Sequence, residues 1–429
     1  MKKRYLILIL FVIIMFLTYL LVANYTKFVK NIPLSIKERV PDFIIQIHAN
    51  IKPIISLSKF LSGSNIKIKD LFYNVEFLPY THYGELDYKV KDIISNGNVK
   101  FPKKSNISYY IDSINDDIIL TTMSGLFFRS NFNDLPLNEN FVVNNITTNF
   151  NKKNKTIKVL DSLIDNNNIL VSYSVKNEGE KNCHFINLDK SEYNENGLRF
   201  VNLYKSPECN INPQAGRIQS YSLDNKKGFL LSVAAQRRDF PSNNAQKDQS
   251  HFGKVIFINE FSGQVTVFTK GHRNPQGLYA SDSIILSSEH GPRGGDEINV
   301  LERNNNYGWP ISSYGNPYNN NEIKYKKSHA EFGFKEPIFS FVPSIGISEI
   351  IPIDRSFWKD ISMDNLYFLS SLNGRSIYQI KFEKNYKNVI FREKIFIGQR
   401  IRDLKYLKKY NSVILGLERP NKIAIMKSK

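Results

Sequence analysis

From about residue 100 onward the chain alternates short apolar runs with clusters of Asn, Asp, Ser and Gly, a pattern of strands separated by tight turns. One unit recurs: polar turn residues, three or four apolar residues, then mostly Ser, Thr or Gly. It reads DDIILTT from Asp116, NNILVS from Asn167, KGFLLS from Lys227, SDSIILSS from Ser281, DNLYFLSS from Asp364 and NSVILG from Asn411. Anchored on Ile119, Leu170, Leu230, Ile285, Tyr367 and Ile414, the copies are separated by 51, 60, 55, 82 and 47 residues, the long gap holding an Asn-rich insertion at 304–324. A period of about 50 residues is the size of a four-stranded propeller blade. Short apolar runs recur by chance in any β protein, but a near-constant period that exhausts the chain at six copies does not. The pattern predicts an all-β, six-bladed propeller of four-stranded antiparallel blades over residues 101–429.

The first residues follow a different pattern. Tyr5 to Ala23 are almost wholly apolar, and these 19 residues as a helix would rise about 28 Å, enough to cross a bilayer core. Lys2, Lys3 and Arg4 precede them, which keeps the short N-terminus cytoplasmic. Residues 1–23 therefore read as an uncleaved signal anchor, a single transmembrane helix in the inner membrane with the propeller facing the periplasm or exterior. A cleaved signal peptide is the competing reading; the run is longer than a usual signal core, and no A-x-A pattern precedes Asn24. Residues 24–100, with Pro41 and Pro53 among apolar residues at mixed spacing, read as a juxtamembrane stalk and entry segment.

The formal charge of +18 raises nucleic acid or anionic lipid as partners. The lysines, however, are spread along the chain among Asn and Ile as a compositional bias, and export argues against nucleic acid. Cys183 and Cys209 are the two cysteines, flanking a strand-like segment. In an oxidising compartment they can pair; otherwise they stay as two thiols.

The densest chemistry lies between Gly271 and Pro310: GHRNPQGL, then SEHGPRGGDEIN, then NYGWP. Loops this rich in special-backbone residues are built to hold something. Arg273 lies 12 residues before its anchor Ile285, Arg402 lies 12 before Ile414, and Arg217 lies 13 before Leu230. Equivalent positions of different blades meet at one mouth of the central channel, and Arg400 shares a strand face with Arg402. Several guanidiniums in one small space call for a polyanionic ligand. Pairing with acids such as Asp403 or Glu418 is the alternative. EHGP and LNGR (Leu372 to Arg375) follow the anchor strands and are expected at the opposite end, within reach of a long loop. Gly291 and Pro292 offer backbone carbonyls to calcium, and Asp296 with Glu297 offers a second calcium pair or a loop staple. His272 and His290 show no metal-ligand spacing, so no zinc site is assigned.

These motifs, together with AQKDQSHFGKV from Ala245 and QRIRDL from Gln399, resemble the glucose/sorbosone dehydrogenase family, over roughly residues 150–428. The resemblance implies a six-bladed propeller that binds pyrroloquinoline quinone (PQQ) and calcium at its mouth. It makes Arg273, Asn274, Arg400 and Arg402 contacts to the quinone, and the Gly291 and Pro292 carbonyls the ligands of its calcium. A lysine that holds the quinone in the family corresponds to Asn373. The family's base, in a His-x-x-Gly-Arg pattern, is replaced, because the matching segment PQAGR has Pro213 in the histidine's place. The family's GLLGxAxHP stretch is absent as well, TIKVLDSLID standing at Thr156 to Asp165. Glu289 or Asp161 could substitute as acid or base. The resemblance, joined to the apolar run at 5–23, thus implies a membrane-anchored sugar, alcohol or aldehyde dehydrogenase that passes electrons to a respiratory acceptor. Pro213 raises the alternative of a catalytically inactive propeller serving as a binding or scaffold module in the envelope.

Overall fold

The computed structural model describes residues 86–96, 108–132, 141–150, 157–179, 182–211, 213–235, 244–318, 324–354, 357–358, 364–418 and 422–428. The expected anchor helix lies outside the described residues, and among those described no helix is long and apolar enough to cross a membrane.

The six copies of the sequence repeat are the second strands of six antiparallel blades. The first strands, innermost in their sheets, are Tyr109–Ile114, Ile157–Asp165, Ala215–Leu223, Pro275–Ala280, Ile347–Pro352 and Ile401–Leu407. The second strands are Asp117–Thr122, Asn168–Lys176, Lys226–Val233, Ile285–Glu289, Leu366–Ser371 and Ser412–Leu417. In five of the six repeats the polar opening has a backbone reason. Asn115, Asn166, Asn225, Asn365 and Asn411, each just before its second strand, have φ between 44 and 61°, the left-handed region that Asn tolerates better than other side chains.

The apolar runs are continuous because both faces of each blade are buried. Side chains alternate across a strand, so Ile118 packs toward the sixth blade with Ile414 and Ile423, while Ile119 packs toward the second with Val159 and Val171. Likewise Leu230 joins Leu278 and Ile285 of the fourth blade, while Phe229 and Leu231 join Leu160 and Leu170 of the second. Six such inter-blade cores close the ring.

The closure uses a strand from the predicted entry segment. Leu86–Asn96 pairs antiparallel with the last strand, Lys422–Ser428, from Leu86 to Asp92, then runs parallel to Phe141–Thr148 of the first blade from Ile93 to Asn96. The propeller therefore begins within the expected stalk, before residue 101. A sheet closed by strands from both ends of the sequence cannot be read from local periodicity. Cys183 and Cys209 form a disulfide within the second blade, where Ile211 pairs with Cys183.

Candidate functional site: a cationic cavity on the propeller axis

In each blade the start of the inner strand and the end of the second strand share one end of the hairpin. Pro275 pairs with Glu289, and Ile401 with Leu417. The expectation that EHGP and LNGR lie at the far end is therefore wrong: antiparallel pairing brings them beside the arginines. Arg273, Asn274, His290, Gly291, Leu372, Arg400 and Arg402 line one cavity of about 320 Å³, at the lower edge of the usual size for small-molecule sites. Tyr110 of the first blade, Lys158 of the second and Gln214 of the third complete the wall, so all six blades contribute. Among the described residues the lining holds four cationic side chains, Lys158, Arg273, Arg400 and Arg402, and no carboxylate.

The backbone of the GHRN loop is shaped by Glu289. Its carboxylate accepts the N–H groups of Arg273 and of Asn274 (3.2 Å) and bonds Nδ1 of His272 (3.0 Å). His272 is fully buried, with Nε2 on Thr269 Oγ1 at 2.8 Å and its ring stacked on Tyr307. It is a structural histidine, and Glu289 is too committed to serve as a spare base. Arg273 donates to the carbonyl of His290 (2.9 Å) and lies over the ring of Trp309. NYGWP and AQKDQSHFGKV interlock behind it, Gln246 bonding both Asn306 and the Trp309 carbonyl. Among the described residues Arg273 pairs with no carboxylate, and its buried Nε has no hydrogen-bond partner; the same holds for Nε2 of His290. Burial lowers the His290 pKa, and Arg402 and Arg273 add to this against the opposing charge of Asp296.

The other arginines are matched to acids, as the alternative reading had it. Arg400 Nε lies 2.5 Å from Glu418 Oε2, and Arg402 grips Glu418 Oε1 while donating to Gln276 Oε1 at 2.6 Å. Burial alone would raise the Glu418 carboxyl; Arg402 and Arg400 instead hold it at about 2. Two guanidiniums share this one carboxylate, so the cluster stays net positive. Arg217, expected at the mouth, is not part of the cavity wall. It sits beneath it with Nη1 at 2.9 Å from Asp161, 2.9 Å from Glu349 and 2.7 Å from Asp403. One residue of strand register separates Arg217 from the mouth, which the near-equal offsets of 12 and 13 concealed. Asp161, a candidate substitute base, is consumed in this hub.

Of the expected calcium ligands, Gly291 is on the cavity wall, and Pro292 offers a carbonyl that accepts Tyr318 Oη at 3.1 Å. Asp296 acts as the loop staple: Oδ2 accepts the N–H groups of Ile345, Gly346 and Ile347, and Oδ1 that of Gly291. Glu297 is buried 3.5 Å from His329 Nε2. Neither belongs to the cavity wall. Asn373 donates its backbone N–H to Ile345 and adjoins the cavity through Leu372. Pro213 is buried just before the third inner strand, its neighbour Gln214 reaching the wall. The cation missed in the sequence is Lys158. It lies 12 residues before Leu170, the same offset that picked out Arg273 and Arg402, and a search for lysine as well as arginine finds it.

Fold and site together define a six-bladed propeller with a cationic pocket over its hub. Residues 155–417, more than half of the chain, match the Glucose / Sorbosone dehydrogenase family, and the chain belongs to that family. It is 31% identical over 196 residues to an aldose sugar dehydrogenase of Escherichia coli (42% of this chain, 51% of that protein). It is 36% identical over 94 residues to quinoprotein glucose dehydrogenase B of Acinetobacter calcoaceticus (19% and 20%). The chain thus spans about half the length, or less, of the curated relatives it matches. The soluble aldose sugar dehydrogenase of Escherichia coli in its apo-form superposes with a TM-score of 0.61 at 18% identity, covering 80% of this chain and 100% of that one. The PQQ-bound aldose sugar dehydrogenase of Streptomyces coelicolor does so at 0.54 and 13%, covering 80% and 99%. These superpositions establish the fold.

Proposed function

We propose that this protein is a PQQ- and calcium-binding sugar or alcohol dehydrogenase, anchored to the inner membrane, with its propeller in the periplasm. The observation that carries it is the cavity wall of four cations and no carboxylate in a chain of this family. A planar tricarboxylate suits that wall. Arg273, Arg400, Arg402 and Asn274 would hold it, and the partnerless Nε of Arg273 has a donor to give. When bound, PQQ supplies a two-electron acceptor for the hydride of an alcohol carbon. The protein's share is charge neutralisation by the arginines, with Arg273 backed by the Trp309 ring, and exclusion of water by the surrounding blades. The Gly291 and Pro292 carbonyls are the calcium ligands of this reading, with the Tyr318 hydroxyl yielding its bond on Pro292.

Pro213 favours a second reading, a propeller that binds the cofactor without turnover. Loss of a general base costs typically about 10²–10⁴-fold in rate. The two readings separate when full-length protein is equilibrated with calcium and PQQ and cofactor absorbance is followed beside dye reduction over a panel of aldoses. Uptake with reduction supports the dehydrogenase, uptake without it supports the binding module, and no uptake removes the cofactor assignment. Arg273→Ala should weaken PQQ uptake about 10–100-fold through loss of a charge-assisted contact. Unchanged uptake would take Arg273 out of the site.

A further inference from the structure

All six blades meet on the guanidinium of Arg217. The ring of Tyr110 (first blade) lies 5.3 Å from its Cζ. Asp161 (second), Glu349 (fifth) and Asp403 (sixth) surround Nη1. Nε donates to the Gln276 carbonyl of the fourth blade at 2.6 Å, and Nη2 to the Arg402 carbonyl of the sixth at 2.8 Å. Each carboxylate spends its other oxygen on a backbone N–H: Asp161 on Ile218, Asp403 on Ile111 and Glu349 on Ile350.

The proton count does not close. Nη1 of an arginine carries two hydrogens. These go to Asp161 and Asp403, both as hydrogen bonds. Glu349 Oε2 lies just as close, at 2.9 Å, with no hydrogen left for it. Three carboxylates facing one cation in a buried cluster also leave two unbalanced negative charges. Lys405, a further cation that feels Asp403 and Asp161, is paired first with Asp112. Like charges this close do not all ionise. A hydrogen on Glu349 eases both deficits: its oxygen no longer needs a donor, and one of the two unbalanced negative charges disappears.

We propose that the Arg217 hub is a proton-binding site with Glu349 as its seat, and that it is coupled to the cavity above, so that an anionic ligand entering that cavity tightens the hold on the proton. The coupling is short. Tyr110, Gln276 and Arg402 line the cavity floor and also contact Arg217. Negative charge above the floor disfavours ionisation below it, and by reciprocity the loaded hub binds the anion better. Burial pushes the Glu349 carboxyl up, as it does that of Asp161, with Arg217 opposing in both. The proton is drawn from solvent as the ligand binds, so affinity falls as pH rises through the hub's titration.

The coupling half rests on the proposed cofactor site; the proton itself does not. In full-length protein without added ligand, infrared spectroscopy at pH 7 should show a protonated-carboxyl band that Glu349→Gln removes and Asp161→Asn weakens. A wild type without such a band, or a band untouched in both variants, overturns the proposal. Both substitutions keep the side-chain shape and an oxygen for the Ile350 or Ile218 N–H, so at least one folded variant is expected. Calorimetry of PQQ binding at pH 8, in two buffers of different ionisation heat, should then show more proton uptake by wild type than by Glu349→Gln. His290 is common to both proteins, so the difference reports the hub. Equal uptake overturns the coupling. If PQQ does not bind at all, the cofactor reading fails and the infrared band still decides the hub.

Discussion

Replacing Arg217 with methionine removes the guanidinium that three carboxylates share, at 2.7–2.9 Å and in near-complete burial. With two carboxylates ionised and charge centres about 4 Å apart, the two attractions sum to roughly 8 kcal/mol at an effective dielectric of about 20, against roughly 3 kcal/mol of repulsion between the anions. Desolvation of the guanidinium offsets part of the remainder, which leaves the ~3–5 kcal/mol typical of removing one partner from a buried ion pair. Asp161 and Glu349 have folded-state carboxyls above their unfolded values. Their ionisation in the fold is unfavourable, so their contribution to stability declines as pH rises from about 4 toward neutrality. Without Arg217 that decline steepens. Thermal melts of Arg217→Met should therefore lie roughly 5–10 °C below wild type at pH 8, with a smaller deficit at pH 5, where the carboxyls can protonate. A variant within about 1 °C of wild type at pH 8, or a deficit that grows on acidification, would refute the hub as a stabilising element.

Two further substitutions test the wall of the cavity. Glu418, held near 2 by Arg402 and Arg400, stabilises the fold above its unfolded value of about 4.3, and that contribution is lost as pH falls toward 2. Glu418→Gln should thus lower stability at pH 7 by about 1–3 kcal/mol, flatten the acid limb of the melting curve and tighten PQQ uptake a few-fold; an acid limb parallel to wild type would count against it. Gly271 has φ +80, and a Cβ there would sit 2.1 Å from Asn306 Oδ1 and 2.6 Å from the Gly308 nitrogen. Gly271→Ala should lower the melting temperature and loosen PQQ uptake together, because the strained turn leads directly into Arg273; an unchanged melt would show that the loop has room to spare.

The wheel was legible because its blades bury both faces. Each second strand then has to be apolar on consecutive positions, as in Ile118, Ile119 and Leu120, and five of the six follow a left-handed Asn such as Asn115. Those are local demands, and they repeat. The cation ring was legible for the same reason, since one offset from the anchor strand places Arg273, Arg402 and Lys158 on one wall. What defeated the reading was direction and depth. The hairpin returns EHGP to the end from which Arg273 starts, and one step of register drops Arg217 from the wall into the hub.

Local sequence settled which residues could be strands, how many blades they make and which charges ride on the inner ones, because period, turn chemistry and offset are properties of neighbours along the chain. Only the closed ring decided which charges are available. Asp161, Glu349 and Asp403 come from three blades to meet Arg217 from a fourth, and Glu418 is shared by Arg400 and Arg402, while Arg273 is left facing a cavity with no carboxylate in its lining. Electrostatic energy depends on separation in space, and in a propeller the residues that meet at the axis come from different blades, here 56 to 186 residues apart in sequence.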